Sequence, residues 1–443
     1  MKKNWKNAGK LLFLLLTGIV TGFVLLVAAF ALPVSGMERN IRRSADAIEQ
    51  ENGTSSELLS GYQATYDGVF TDCLMLQNAV YQGKYNVLQA AMGIYRSEEN
   101  VVLWHPADSL IGYLEGNRAT EVSYARYWHG YLVILKPLLM FLNFQEIKIL
   151  NMMLLGAACL AVVAEMYRRK RHPYAWAFAA SVFFMVPLSA ALSLSQAICA
   201  YIALGAVLFV LKKEEWILQD IHELYYFLVI GMATSYLDFL TYPVVTLGFP
   251  LVMILMAKQE SGKNDYRKKI FQKTVTDCLC WGTGYVCMWA SKWVISSIIL
   301  GKNVLSDAAG TMAERTSSIP DTSRVMSFFR VVFENMKKIS GLPYKWLAVI
   351  LVFWIVYRFL KSRRTAGVIR KTQAECVPEK KSVAAAYLFT AAIPFFWYAL
   401  TINHSEEHAV FTFRILGVTA FSLLCLMLKL TETDQTASGK IGN

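Results

Sequence analysis

The chain has 443 residues, of which 55% are hydrophobic and only 17% charged, a balance that argues against an ordinary soluble multidomain protein and points to a membrane. Its formal charge of +12 would suggest nucleic acid in a soluble protein. Here the basic residues cluster between apolar stretches, at Arg168-Arg169-Lys170-Arg171, Lys212-Lys213, 258–273 and 361–381, the pattern of cytoplasmic loops under the positive-inside rule, so no nucleic-acid partner is expected.

In chain order, the first apolar stretch is 11–32, preceded by Lys2, Lys3, Lys6 and Lys10. At about 22 residues it exceeds the core of a cleaved signal peptide and reads as a retained signal anchor. Nine further stretches read as transmembrane helices: 146–167, 174–190, 196–211, 223–239, 242–257, 276–298, 344–360, 383–400 and 410–428. The expected fold class is therefore an all-α polytopic membrane protein with about ten transmembrane helices and both termini in the cytoplasm. The expected divisions are 1–32, an extracytoplasmic segment 33–145, helices two to seven in 146–298, a second external segment 299–343, the last three helices in 344–429 and a cytoplasmic tail 430–443.

Within 33–145, helical patterns at 37–50 and 65–81 flank the turn-rich 51–60. The run 129–141 is too short to cross a bilayer, is interrupted by Lys136-Pro137 and reads as a re-entrant or interfacial helix, with Tyr124, Tyr127, Trp128 and Tyr131 as belt residues. In 301–343 the Ser/Thr-rich first half reads as a mobile loop, and 325–339 as an amphipathic helix lying on the surface or closing over a site. The cysteines form no disulfide framework, since all but Cys73 and Cys376 lie in apolar helical stretches; Cys278 and Cys280 lack zinc-site spacing.

Polar chemistry gathers on the external side, where His105, His129, His404 and His408 fall. Asp67 and Asp72, in Tyr66-Asp67-Gly68-Val69-Phe70-Thr71-Asp72, suit a general base with a substrate or cation orienter, and equally a solvated loop pair. Asp238, at the outer end of the fifth helix in Ser235-Tyr236-Leu237-Asp238-Phe239-Leu240-Thr241-Tyr242-Pro243, is a carboxylate at a membrane boundary, where ionisable residues face the protein interior or a watery cavity; it suits a functional role or a structural pair at the helix end. Arg126 and His129, in Arg126-Tyr127-Trp128-His129-Gly130-Tyr131, add a cation and an imidazole that aromatic anchoring alone does not explain.

The turn Asn403-His404-Ser405-Glu406-Glu407-His408 leads to Arg414. His404 and His408 match the HxxEH zinc spacing without a third ligand, form a polar cap on two helices, or join Arg414 in recognising a lipid phosphate.

The architecture resembles the membrane glycosyltransferases of the C superfamily, through a first helix, a long external loop with Asp67 and Asp72, a short membrane-surface helix and a later loop with imidazole and basic groups. The motifs at 126–131, 238–243 and 403–414 also resemble uncharacterised bacterial membrane proteins grouped with these transferases. The resemblance implies a multi-pass protein of the bacterial plasma membrane that moves a sugar from a polyprenyl-phosphate carrier to an extracytoplasmic glycan or lipid acceptor. It implies Asp67, Asp72 or Asp238 as catalytic carboxylate, and Arg126, His129, His404, His408 and Arg414 on the phosphate side. It fixes no cofactor, and a divalent cation is compatible with the chemistry. The rival readings are a transporter or lipid flippase without covalent chemistry, and a membrane metalloprotease at His404 and His408.

Overall fold

The computed structural model describes residues 2–50, 57–59, 62–66, 68–98, 106–117, 120–261, 269–339 and 377–439, with four isolated positions from 345 to 357. The stretch 344–360, expected as the eighth crossing, otherwise lies outside the described residues, as do Asp67 and His105.

The described chain is almost wholly helical. Five of its helical segments are long and apolar enough to cross a membrane: Asn7–Phe30, Phe144–Arg168, Leu194–Lys212, Lys381–Leu400 and Ala409–Leu430. In order, the N-terminal half runs α1 (Lys2–Phe30), α2 (Ser35–Arg42), α3 (Ala45–Gln50), α4 (Val69–Val80), α5 (Val87–Gly93), α6 (Pro106–Glu115), α7 (Leu132–Leu139), α8 (Phe144–Arg168), α9 (His172–Phe184), α10 (Pro187–Leu192) and α11 (Leu194–Lys212). It continues with α12 (Glu214–Ile217), α13 (Asp220–Leu237), α14 (Val244–Glu260), α15 (Ile270–Leu300), α16 (Val304–Thr316), α17 (Arg324–Ile339), α18 (Val377–Leu400), α19 (Ile402–Glu407), α20 (Ala409–Thr412) and α21 (Leu416–Gly439). A two-stranded antiparallel hairpin, β1 (Tyr95–Glu98) with β2 (Thr120–Ser123), pairs Tyr95 with Ser123; the sequence reading did not anticipate it.

Local chemistry sets the helix ends. Asn143 and Glu146 form a capping box that starts α8, each side chain accepting from the other's backbone N–H at 3.0 and 2.8 Å. The expected single helix 174–190 is two helices. Pro187 starts α10 and disfavours the right-handed helical conformation in the residue before it; Val186 there takes a positive φ of 51°. The pattern expected over 37–50 is likewise two short helices, α2 and α3. Residues 304–316, expected as a mobile loop, form α16, started by the Asn303 side chain accepting from Ser306 N–H at 3.0 Å.

Among the described residues the tightest helix pair is α13 against α15. A Cβ on Gly231 would stand 2.1 Å from the Trp281 carbonyl oxygen, and one on Gly284 would stand 2.2 Å from that of Leu228, so only glycine permits this close backbone approach. At one end of the pair Lys258 of α14 is ion-paired with Glu223 and stands 3.7 Å from Asp277, all three buried.

Buried charges also fasten the short helices of 33–145 to the long ones. Lys136 Nζ donates to the Ala79 carbonyl at the C-terminal end of α4 (2.6 Å), and Lys292 Nζ to the Ala91 carbonyl near the end of α5 (3.1 Å). Both cations meet the negative end of a helix dipole and orphan carbonyls there.

Candidate functional site

The segment 124–131 docks between α13 and α15. Trp128 Nε1 donates to the Met288 carbonyl at 2.6 Å, and the Trp289 and Trp293 indoles both donate to the Arg126 carbonyl at 2.8 Å. Gly130 N–H donates to Tyr236 O at 2.8 Å, in a space where a Cβ would meet the Tyr236 ring at 2.4 Å. This docking leaves Arg126, Tyr127 and His129 on the wall of a cavity of about 540 Å³.

His129 is buried, with φ at 51°. Its Nε2 donates to the Tyr124 carbonyl (3.2 Å) and its Nδ1 accepts from the Tyr131 hydroxyl (3.1 Å). Burial holds its pKa well below the ordinary histidine range, helped by Lys292 and Arg96. With both nitrogens engaged, His129 presents its ring rather than a free donor.

Asp238 ends α13 and folds back on its own turn. Its Oδ2 accepts from the backbone N–H groups of Leu240 (3.0 Å) and Thr241 (2.9 Å), and its Oδ1 from the Thr241 hydroxyl. These bonds hold Leu240 at a φ of 78°, a conformation costly for a branched side chain. The turn aims the Leu240 carbonyl at His404, whose Nε2 donates to it across 2.7 Å. Leu240, Thr241, His404 and His408 line the cavity, whereas Asp238 itself is engaged behind the wall. Burial, His408 and Arg315 push the His404 pKa well below its usual value, so the imidazole is neutral with its proton on Nε2.

Two further expectations are corrected. Asp72 is fully buried and does not line the cavity. Its Oδ2 accepts from Leu194 N–H (2.8 Å) and its Oδ1 from Ser195 N–H (3.0 Å) and Ser193 Oγ (3.1 Å), so it caps the N-terminus of α11. Burial raises its pKa to about 6 against the opposing pull of those backbone bonds. Arg414 is also fully buried; it donates to Ser189 Oγ at 2.6 Å and to the Val410 carbonyl at 3.1 Å, and it borders a separate apolar pocket. Of Asp67, only its neighbours Tyr66 and Gly68 are described, and both line the cavity.

The cations that do line the cavity include two the sequence reading missed, Arg96 of β1 and Arg315 of α16. Arg126 pairs with Asp307 at 3.3 Å. Arg315 Nη1 reaches Glu407 Oε2 at 2.6 Å and donates to His408 Nε2 at 3.0 Å. Burial and Arg315 lower the His408 pKa to about 4, leaving it a neutral acceptor. Among the described residues Glu407 is the sole carboxylate on the wall.

Several buried polar atoms of wall residues have no protein partner: Nε of Arg126 and of Arg315, Nδ1 of His404, Oδ1 of Asn78 and Oε1 of Gln196. These atoms are themselves shut off from the cavity; what the wall offers is the part-exposed guanidinium groups of Arg126 and Arg315, 24% and 25% exposed, a surface that favours an anionic ligand. Met75 and Tyr131 belong at once to this wall and to an apolar groove of about 300 Å³ between α7, α8 and α11. Ile134 and Leu154 of that groove are 58% and 52% exposed, so it opens sideways to whatever surrounds the helices. Among the described residues no group of three or more His, Cys, Asp or Glu side chains could hold a metal ion; His404 and His408 instead bond Leu240 and Arg315. Comparison with known proteins finds no matching family model, no matching curated protein and no matching solved structure.

Proposed function

We propose that the chain is a membrane glycosyltransferase that takes a sugar from a polyprenyl-phosphate carrier and passes it to an acceptor outside the cytoplasm. In this reading the chain crosses the bilayer about ten times, the cavity lies at the outer boundary, and the basic loops are cytoplasmic. The observation that carries the reading is the wall shared by cavity and groove at Met75 and Tyr131. There a cavity lined by guanidinium groups adjoins, across these two shared side chains, an apolar groove open to the bilayer side, an adjacency that suits an anionic sugar-bearing head on a hydrocarbon tail.

Arg126 and Arg315 would hold the phosphate and stabilise it as leaving group. A phosphate leaving group needs no proton, so a single base suffices. Asp72 and Asp238 are spent on helix and turn geometry, which removes them from that role.

The buried Lys258, Glu223 and Asp277 favour the rival reading of a transporter, since ionisable groups among apolar helices often mark a proton or ion path. They border no described part of the cavity.

Binding of radiolabelled farnesyl phosphate to the purified protein in detergent tests the proposal. Saturable binding that inorganic phosphate displaces only at much higher concentration is expected. Equal affinity for both probes would remove the groove from the site, and no binding of either would remove the reading.

A further inference from the structure

Glu407 closes α19 at the cavity mouth, with its side chain 44% exposed. Its Oε2 is held by Arg315, and its Oε1 accepts from Asn403 Nδ2 at 3.3 Å. The same Arg315 guanidinium bonds His408 and lines the cavity with its side chain 25% exposed. One cation therefore serves a carboxylate at the mouth and stands ready for an anion inside. A phosphate competes well for it, because phosphate offers a guanidinium several charged oxygens in fork geometry.

We propose that Glu407 is the general base of the transfer, held in reserve by Arg315 and released when the carrier's phosphate draws that arginine away. The proposal rests on the lipid-phosphate reading and names the residue that completes it. The freed carboxylate takes the proton of the acceptor hydroxyl as the acceptor oxygen bonds to the anomeric carbon. The bond from that carbon to the phosphate oxygen breaks, and its electron pair leaves on the prenyl phosphate, whose new charge faces Arg126 and Arg315. Glu407 then returns the proton to water. The ion pair makes activation conditional: without donor, Arg315 and Asn403 occupy both carboxylate oxygens, so the acceptor hydroxyl finds no free oxygen in an empty site.

The test compares wild type, Glu407→Gln, Glu407→Asp, Arg315→Gln and Asp67→Asn in two measurements. One is binding of radiolabelled farnesyl phosphate. The other is release of farnesyl phosphate from farnesyl-phosphate-linked hexoses and pentoses, with a cell-envelope lipid and glycan extract as acceptor. Glu407→Gln should bind within about twofold of wild type yet lose about 10² to 10⁴ in kcat, with Glu407→Asp recovering part of it, as a base does. Arg315→Gln should weaken binding and raise KM far more than it lowers kcat. Wild-type kcat in Glu407→Gln, with loss in Asp67→Asn, would overturn the assignment and leave the lipid-phosphate reading standing. Absence of farnesyl phosphate binding by wild type, or of release from every donor, would overturn both.

Discussion

His404 donates its Nε2 proton to the carbonyl of Leu240 across 2.7 Å, and that carbonyl is aimed by the carboxylate of Asp238. Two residues far apart in the chain are thus joined through one strained turn. Asp238 acts on the site by fixing a backbone oxygen and, through it, a histidine tautomer.

Asp238→Ala should release the Leu240 turn and free His404. Losing three hydrogen bonds to a buried carboxylate should cost about 2 to 4 kcal/mol in stability, while Asp238→Asn, which keeps one acceptor oxygen, should cost less. Thermal unfolding in detergent measures the order, and an Asp238→Asn protein less stable than Asp238→Ala would contradict it.

Asp72 titrates in an unusual direction for a capping carboxylate. Its folded pKa, raised to about 6, lies above the ordinary value of 3.8, so the folded state holds its proton more tightly than the unfolded state. The associated stability is fully present below about pH 4 and is lost as pH rises through about 6, then stays level. Melting temperature measured between pH 4 and 7 should fall in that window, and Asp72→Asn should flatten this component. A variant retaining the full wild-type slope would show that another group titrates.

Arg126 and Arg414 should separate cleanly. Arg126→Gln is expected to weaken farnesyl phosphate binding by about 10- to 100-fold, the loss of a charge-assisted contact, with little change in melting temperature. Arg414→Ala should instead lower stability or yield, because it leaves the partners of a buried guanidinium unsatisfied. Comparing the two binding curves on folded protein decides the matter.

The proposed topology is checked by labelling intact cells with a membrane-impermeant thiol reagent. In a cysteine-free background, Ser317→Cys should label and Lys268→Cys should not; the reverse would invert the membrane orientation.

Composition and hydropathy made the helical membrane class legible, because bilayer thickness acts directly on sequence. What they missed is local or distant. Hydropathy is blind to backbone angles, so 174–190 reads as one span although Pro187 divides it. The Ser/Thr content of 301–320 suggests loop, yet Asn303 caps a helix there. Chemistry-bearing residue types drew notice to Asp72, Asp238 and Arg414, but a carboxylate capping a helix and one serving a substrate share the same letter. Arg315 gave no local signal, since its partner Glu407 lies 92 residues along the chain. The segments around Arg126, Asp238 and His404 do meet at one cavity wall, which their spelling suggested, although the roles within it are redistributed.

The buried lysines bear on the order of assembly. Residues 69–93 are synthesised before either Lys136 or Lys292, so the carbonyls at Ala79 and Ala91 wait for cations that arrive about 57 and 201 residues later. Lys292 can reach its carbonyl only after the intervening apolar segments have been synthesised. Conversely, a truncated protein lacking 69–93 would strand two ammonium groups among apolar helices, where an unpaired charge is costly. The short helices of 69–93 and the long ones are therefore completed together, and protease resistance of 69–93 should appear only once α15 is in place.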